Sequence, residues 1–248
     1  MELALTGRTA LITGASAGIG AEIARVLAAE GCRLHLAARG KERLEELAER
    51  LRAVHDVEVH THPADLRVAA DIERLANIDG PLDILVNNAG DVPGGSLTAV
   101  DEQAWRQGWE LKVFGYINLS RLVYARMKDQ GKGVVVNVIG AAGERPDAEY
   151  IAGSTANAAL MAFTRALGSR SWRDGLRVVG INPGPVATAR ITELIEKNAR
   201  FAEIAADFPF GRPAHPREIA DMAAFLASDR SGYTTGTVVT IDGGLSLI

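Results

Sequence analysis

Short, near-continuously apolar runs alternate with amphipathic helical patterns along the chain, and this alternation restricts its fold more than any other feature. The runs lie at 9–12, 34–37, 57–60, 84–86, 134–138, 178–181 and 238–241. A strand covered on both faces is apolar on both sides, so continuous runs mark a parallel sheet sandwiched between helices. Between the runs, Ile19, Ile23, Val26 and Leu27 form one helical stripe. Leu44, Leu47 and Leu51 form another, on a helix with charged outer faces. Strand–helix–strand repetition requires right-handed crossovers. It predicts one α/β domain over residues 1–248, a Rossmann-type, doubly wound parallel sheet of about seven strands with helices on both faces. Only the segment 187–216 lacks the rhythm. It carries Pro209, Pro213 and Pro216 and follows a strand end. Ligands of such sheets sit beyond the strand C-termini, so this segment is expected to be a substrate lid.

Composition narrows the function. Cys32 is the only cysteine, which excludes an intramolecular disulfide and points to a reducing compartment. The formal net charge is -4 with no basic block, which argues against a nucleic-acid partner. No apolar run approaches the roughly 20 residues of a membrane span. The first strand starts so close to Met1 that a signal peptide has no room. The expectation is a cytoplasmic protein whose partner is a small molecule.

The strongest local motif is Thr13-Gly14-Ala15-Ser16-Ala17-Gly18-Ile19-Gly20, directly after the first run and opening a helix. Glycines here allow a tight turn and close backbone approach to a pyrophosphate, whose charge a helix N-terminus stabilises. The spacing is G-x-x-x-G-x-G. Further along, Asp65-Leu66 follows the third run, Asn87-Asn88-Ala89-Gly90 the fourth, Pro183-Gly184-Pro185-Val186-Ala187-Thr188 the sixth and Asp242-Gly243-Gly244 the seventh.

With these motifs in this order, the whole chain resembles the short-chain dehydrogenase/reductase family. The resemblance implies a nicotinamide dinucleotide on Gly14, Ser16, Gly18, Ile19 and Gly20. Asp65 and Leu66 would lie at the adenine, Asn88 and Gly90 at the adenosine ribose, and Val186 and Thr188 at the nicotinamide carboxamide. An acid at the end of the second strand would bind a 2′-hydroxyl and repel a 2′-phosphate. That end reads Leu36-Ala37-Ala38-Arg39. Ala38 stands where NAD-preferring relatives keep the carboxylate, and the Arg39 guanidinium can pair with a phosphate. NADP(H) is the expected cofactor, with NAD(H) as the alternative; a merely solvated Arg39 is the competing reading.

The resemblance breaks at the catalytic positions. Family members carry an Asn on the fourth helix, a Ser after the fifth strand, and a Tyr and a Lys one helical turn apart. Here Lys112 stands at the Asn position, Gly140 at the Ser, Gly153 at the Tyr and Asn157 at the Lys. Lys112 and Asn157 read as an exchange across the pocket, against a reading of Lys112 as a solvated or snorkelling lysine. Tyr150 lies three residues before Gly153, hence about 4.5 Å back along a helix axis. Its phenol would have to approach from another side, with its pKa lowered in part by Lys112; packing at the helix start is the alternative. The two glycines leave the pocket either enlarged or collapsed. Lys112, Tyr150 and Asn157 are therefore the candidate catalytic residues.

Glu144, Arg145, Asp147 and Glu149 read as loop charges. His60 and His62 suggest a metal pair, but on a strand the two are expected to face opposite sides, and no third ligand is evident, so no metal is expected. His215 reads as a loop residue at a helix start. Trp105, Trp109, Phe114 and Tyr116 form an aromatic set on the fourth helix suited to a subunit interface, and the resemblance implies a homotetramer. Three functions fit: an oxidoreductase with a rearranged proton-transfer group, a redox-inactive dinucleotide binder acting as sensor or silent partner, and a non-redox enzyme on the same fold.

Overall fold

The computed structural model describes residues 2–247. Seven parallel strands form one sheet in the order β3-β2-β1-β4-β5-β6-β7. They are β1 (Thr9–Thr13), β2 (Arg33–Ala38), β3 (Val59–Pro63), β4 (Ile84–Asn87), β5 (Gly133–Val138), β6 (Leu176–Pro183) and β7 (Val238–Ile241). Helices α1 (Gly18–Ala29), α2 (Lys41–Val54) and α3 (Ala69–Ala76) follow the first three strands. After β4 comes α4 (Glu102–Trp109), which runs through a π-helical turn (Glu110–Phe114) into α5 (Gly115–Gln130). The remaining helices are α6 (Ile151–Ser171), α7 (Ala189–Lys197), α8 (Ala199–Ala206) and α9 (Pro216–Ala227).

Alternate residues of each central strand feed opposite sides of the sheet. Ala10 and Ile12 of β1 join a core with Ile23, Leu27, Leu44, Leu51 and Ala223, which places α1, α2 and α9 on one face. Leu11, between them in sequence, joins Ile72, Leu75, Leu119 and Val123 from α3 and α5 on the other. Both faces being covered is why β1 is buried at every position and reads as a continuous apolar run.

The third strand is displaced from its expected position. It runs over Val59–Pro63, not 57–60, and pairs with β2 from Leu34↔Val59 to Ala38↔Pro63. As the sheet's edge, β3 needs little apolar surface, so Val59-His60-Thr61-His62 carries no hydrophobic run to mark it. Its histidines correct the sequence reading: residues i and i+2 of a strand share a face. His60 and His62 both stack on His35 of β2, with ring centroids 4.9 and 5.1 Å apart, and His35 Nδ1 lies 2.9 Å from His62 Nε2. Burial, then His62 and His60, push the His35 imidazole down to about 4, so it is neutral at physiological pH.

The sheet order reverses direction between β1 and β4, which places the turns after these strands side by side at the crevice where such folds bind ligands. No helix among the described residues is long and apolar enough to cross a membrane.

Candidate active site

Two loops at the crevice are locked together by glycine geometry. Gly14 turns the chain with φ +65°, and a Cβ there would lie 2.9 Å from Ala89 Cα and from Asn88 Nδ2. A Cβ on Gly20 would meet Asn88 Nδ2 and the Gly14 carbonyl oxygen, each at 2.4 Å. Asn88 Nδ2 donates to the carbonyls of Thr13 (3.1 Å) and Gly14 (3.3 Å), and Thr13 Oγ1 accepts from the amides of Asn88 and Ala89. The Asn88 side chain is thus spent on holding the turn, and only its neighbourhood is left to face a ribose. Thr188, beyond β6, closes over the turn: its Cγ2 would be 3.2 Å from a Cβ on Gly18. The backbone cradle at the α1 N-terminus is the arrangement a dinucleotide pyrophosphate needs.

Beside this cradle the charges are unequal. A cleft of about 180 Å³ between the turn and α2 is lined by Ser16, Ala17, Gly18, Arg25, Arg43 and Arg50. Arg25 pairs with Glu22 and Arg50 with Glu46. Arg39 is exposed, and among the described residues neither it nor Arg43 has an acidic partner. Asp65 is taken by Arg67, whose Nε lies 3.0 Å from Oδ1; that hydrogen bond is the main force holding the Asp65 carboxyl below the usual range. Leu66 is buried and Val186 is bridged to Ala214.

Lys112 sits inside the π-helical turn between α4 and α5, a distortion that recurs at functional sites. It is not a solvated lysine: 9% of it is exposed. Its Nζ donates to Asn157 Oδ1 and to the Ile139 carbonyl, both at 2.7 Å. The stem crosses Gly90, where a Cβ would lie 2.9 Å from Lys112 Cδ. Burial, helped by the Arg190 charge, brings the ammonium down to about 7, although its two oxygen acceptors favour the charged form.

The two glycines leave the pocket neither enlarged nor collapsed; neighbouring side chains fill the room. A Cβ on Gly140 would lie 2.8 Å from Asn157 Nδ2, and at φ +145° the backbone there is closed to other residues in any case. Tyr150 is the N-cap of α6 with non-helical backbone (φ -141°, ψ 39°), so it does not lie back along the helix axis as the spacing implied. Its ring folds forward over Gly153, where a Cβ would fall 1.9 Å from Cζ and 2.2 Å from Cε1. Expected help from Lys112 in lowering the Tyr150 pKa is not found. Burial raises it; Arg190 partly opposes that and Asp91 adds to it.

Supporting residues escaped the sequence reading. Below the site, Asn87 Nδ2 donates to Ser120 Oγ and Asn137 Oδ1, and Asn137 Nδ2 to Thr164 Oγ1, all at 2.9 Å. Above it, Arg190 of α7 pairs with Asp91 at 3.1 Å, and Arg200 of α8 with Asp147 at 2.8 Å. The only trace of the first group is polar residues within strand runs; the second has no local signature. Glu144 accepts from Thr240 Oγ1 and Arg145 donates to the Leu245 carbonyl, so both exposed loop charges also make hydrogen bonds within the chain. His215 caps α9, its amide donating to Glu218 Oε2.

The aromatic set on the fourth helix also needs correction. Tyr116 is fully buried with its hydroxyl on the Val138 carbonyl, and Trp109 donates to the Ala152 carbonyl and, like Trp105 and Tyr150, packs against the cluster that holds Tyr116. Phe114, 45% exposed, is the member left open to a partner.

Residues 14–246 match the family model described as enoyl-(acyl carrier protein) reductase. The oxidoreductase UcpA of Salmonella typhimurium is 36% identical over 253 residues, covering 98% of this chain and 96% of that protein. The structure of L-sorbose reductase from Gluconobacter frateurii, complexed with NADPH and L-sorbose, superposes with a TM-score of 0.92 at 30% identity and full coverage of both chains. A 7α-hydroxysteroid dehydrogenase complexed with NADH and 7-oxo glycochenodeoxycholic acid also gives 0.92, at 27% identity over 98% of this chain and 96% of that one.

Proposed function

The chain belongs to the short-chain dehydrogenase/reductase family, and from that premise we propose that it is an NADP(H)-dependent oxidoreductase of a small carbonyl or alcohol, working through a rearranged proton-transfer group. The observation that carries this reading is the 2.7 Å contact between Lys112 and Asn157. The residue types the family keeps on these two helices are both present, exchanged, and touching. An amide and an ammonium are thereby retained at the place where the family's Ser and Tyr hydroxyls are absent.

A bound nicotinamide supplies hydride chemistry; the chain supplies its placement and the proton. Gly14, Ser16, Gly18, Ile19 and Gly20 would hold the pyrophosphate, with Asp65, Leu66, Asn88 and Gly90 along the adenosine and Val186 and Thr188 at the nicotinamide end. Asn157 fixes Lys112, and the ammonium stabilises negative charge growing on a substrate oxygen. Tyr150, whose phenol burial keeps protonated, donates that proton to the oxygen, which becomes the alcohol hydroxyl. Segment 187–216 closes over the pocket as a lid within a single domain of 1–248, clasped by Arg190–Asp91 and Arg200–Asp147. The test is a screen of small ketones and aldehydes followed by NADPH absorbance. Oxidation of NADPH with one of them supports the reading. Cofactor binding without turnover across the panel overturns it in favour of a redox-inactive binder.

NADP(H) should bind more tightly than NAD(H), because Arg39, next after β2, and Arg43, in the cleft beside the cradle, make no ion pair among the described residues. Arg39→Ala should cut the preference by about 1–3 kcal/mol if the phosphate contact is charge-assisted. Equal affinities in the unaltered protein, measured by calorimetry, would refute this assignment.

We also propose a cytoplasmic homotetramer. Its support is the exposed Phe114 on the α4–α5 side and the edge strand β7, whose Val238, Val239 and Ile241 are half-exposed beside an exposed Leu247. Sedimentation velocity at micromolar concentration should show a species larger than a monomer; a monomer sinks the proposal.

A further inference from the structure

Arg190 is placed where a catalytic pocket meets its cover. It lies in the first turn of α7, and its Nη2 donates to the Val92 carbonyl at 3.2 Å while Nη1 faces Asp91 at 3.1 Å. Val92 packs in the same cluster as Tyr150, Tyr116 and Val113. The loop that carries Asp91 and Val92 is stitched to the Tyr150 segment, the Gly95 amide donating to the Glu149 carbonyl at 2.7 Å. The guanidinium is therefore held on the loop that packs with the Tyr150 segment, close enough for its charge to be felt at both Tyr150 and Lys112. Lys112 has no acidic partner among the described residues, and the one acid on Arg190 is Asp91.

We propose that Arg190 is the substrate anchor, and that the substrate class is an oxo acid, or the corresponding hydroxy acid, whose carboxylate pairs with Arg190 while its reacting oxygen lies toward Lys112 and Tyr150. This rests on the reading of that pocket as the catalytic site. Asp91 is the placeholder. The Arg190 and Asp91 side chains are 49% and 70% exposed, and ion pairs so open to water contribute roughly 0–1 kcal/mol. Asp91 meets the guanidinium through Nη1, whereas a ligand carboxylate can take its fork bidentately, so the exchange favours the ligand. The Val92 carbonyl keeps the guanidinium in place during that exchange.

The experiment titrates pyruvate, acetoacetate and levulinate, each against its methyl ester, into the NADP⁺-saturated protein by calorimetry. At least one acid should bind roughly tenfold more tightly than its ester, the usual scale of a charge-assisted contact. In Arg190→Gln the two should bind within about twofold, the residual expected of a lost charged hydrogen bond, with NADP⁺ affinity unchanged. Asp91→Asn removes the competing carboxylate and should tighten the acid, whereas an Arg190 that only latches the lid would make both variants weaken it. Equal binding of acids and esters, binding of neither, or a preference that survives Arg190→Gln overturns the proposal. Because binding alone is read, a protein that binds oxo acids but turns none over would fail the redox reading and leave the anchor standing.

Discussion

Lys112→Met should lower the turnover of carbonyl reduction by about 10²–10³, the usual loss when a preorganised electrostatic contact is removed. The fold survives, because methionine fills the channel over Gly90 that the lysine stem occupies. Cofactor affinity changes little, since the Gly14–Asn88 cradle does not use Lys112. The pH dependence identifies the group. In the unaltered protein Lys112 loses its proton at about 7, so reduction that relies on its charge falls as pH rises through about 7. In Lys112→Met that inflection disappears from kcat. A profile unchanged by the substitution, with full turnover, ends the rearranged-site reading.

The same residue fixes the sign of a stability effect. Its folded pKa is about 7 against an ordinary 10.5, so between these values the unfolded chain holds the extra proton. Stability from this group therefore rises with pH across that window, and the buried ammonium is a burden below it. Denaturant titrations at pH 7 and 10 should show that slope in the parent and not in Lys112→Met.

The sheet and its cofactor cradle were legible in the sequence because both are written locally. Apolar runs report burial on two faces, and Gly14, Gly18 and Gly20 report a turn that no Cβ fits. The exchange of Lys112 and Asn157 was legible only through the family's frame; contact across 45 positions has no local signature. What could not be read was how the gaps at Gly140 and Gly153 are filled. That depends on Tyr150 leaving the helical geometry at the α6 N-cap, a backbone choice no spacing rule reports. Arg190 was hidden for a related reason, since its pairing with Asp91 spans β4 and α7 and neither residue belongs to a motif. The histidines of β3 were misjudged from the strand period itself, and the edge position of β3 hid the strand's true register.

Gly153→Ala should evict the Tyr150 ring and, with it, activity. The added methyl would stand 1.9–2.5 Å from three ring carbons, so the ring must rotate away from its place against the cluster that holds Val92 and Tyr116. Overpacking of this kind costs about 1–3 kcal/mol, set against a helix-propensity gain of about 1 kcal/mol for alanine over glycine. The substitution is therefore neutral to destabilising in the parent. In a Tyr150→Ala background the obstruction is gone and only the propensity gain remains, so Gly153→Ala becomes stabilising by about 1 kcal/mol. That reversal of sign in thermal unfolding is the signature of direct coupling, and additive effects would show that the ring does not need the glycine. Turnover separates position from chemistry: Tyr150→Phe removes only the hydroxyl, whereas Gly153→Ala keeps the hydroxyl and misplaces it. Both should abolish most activity if the phenol donates to the substrate oxygen from this place. By the same geometry, installing Gly140→Ser, Gly153→Tyr and Asn157→Lys together cannot rebuild the family's ordinary group. Serine meets φ +145° and the Asn157 site, and the new tyrosine meets the old ring. Adding Tyr150→Ala and Lys112→Asn frees side-chain space but leaves φ +145° at residue 140 closed to serine, so neither the triple nor the fivefold variant should turn substrate over faster than the unaltered protein.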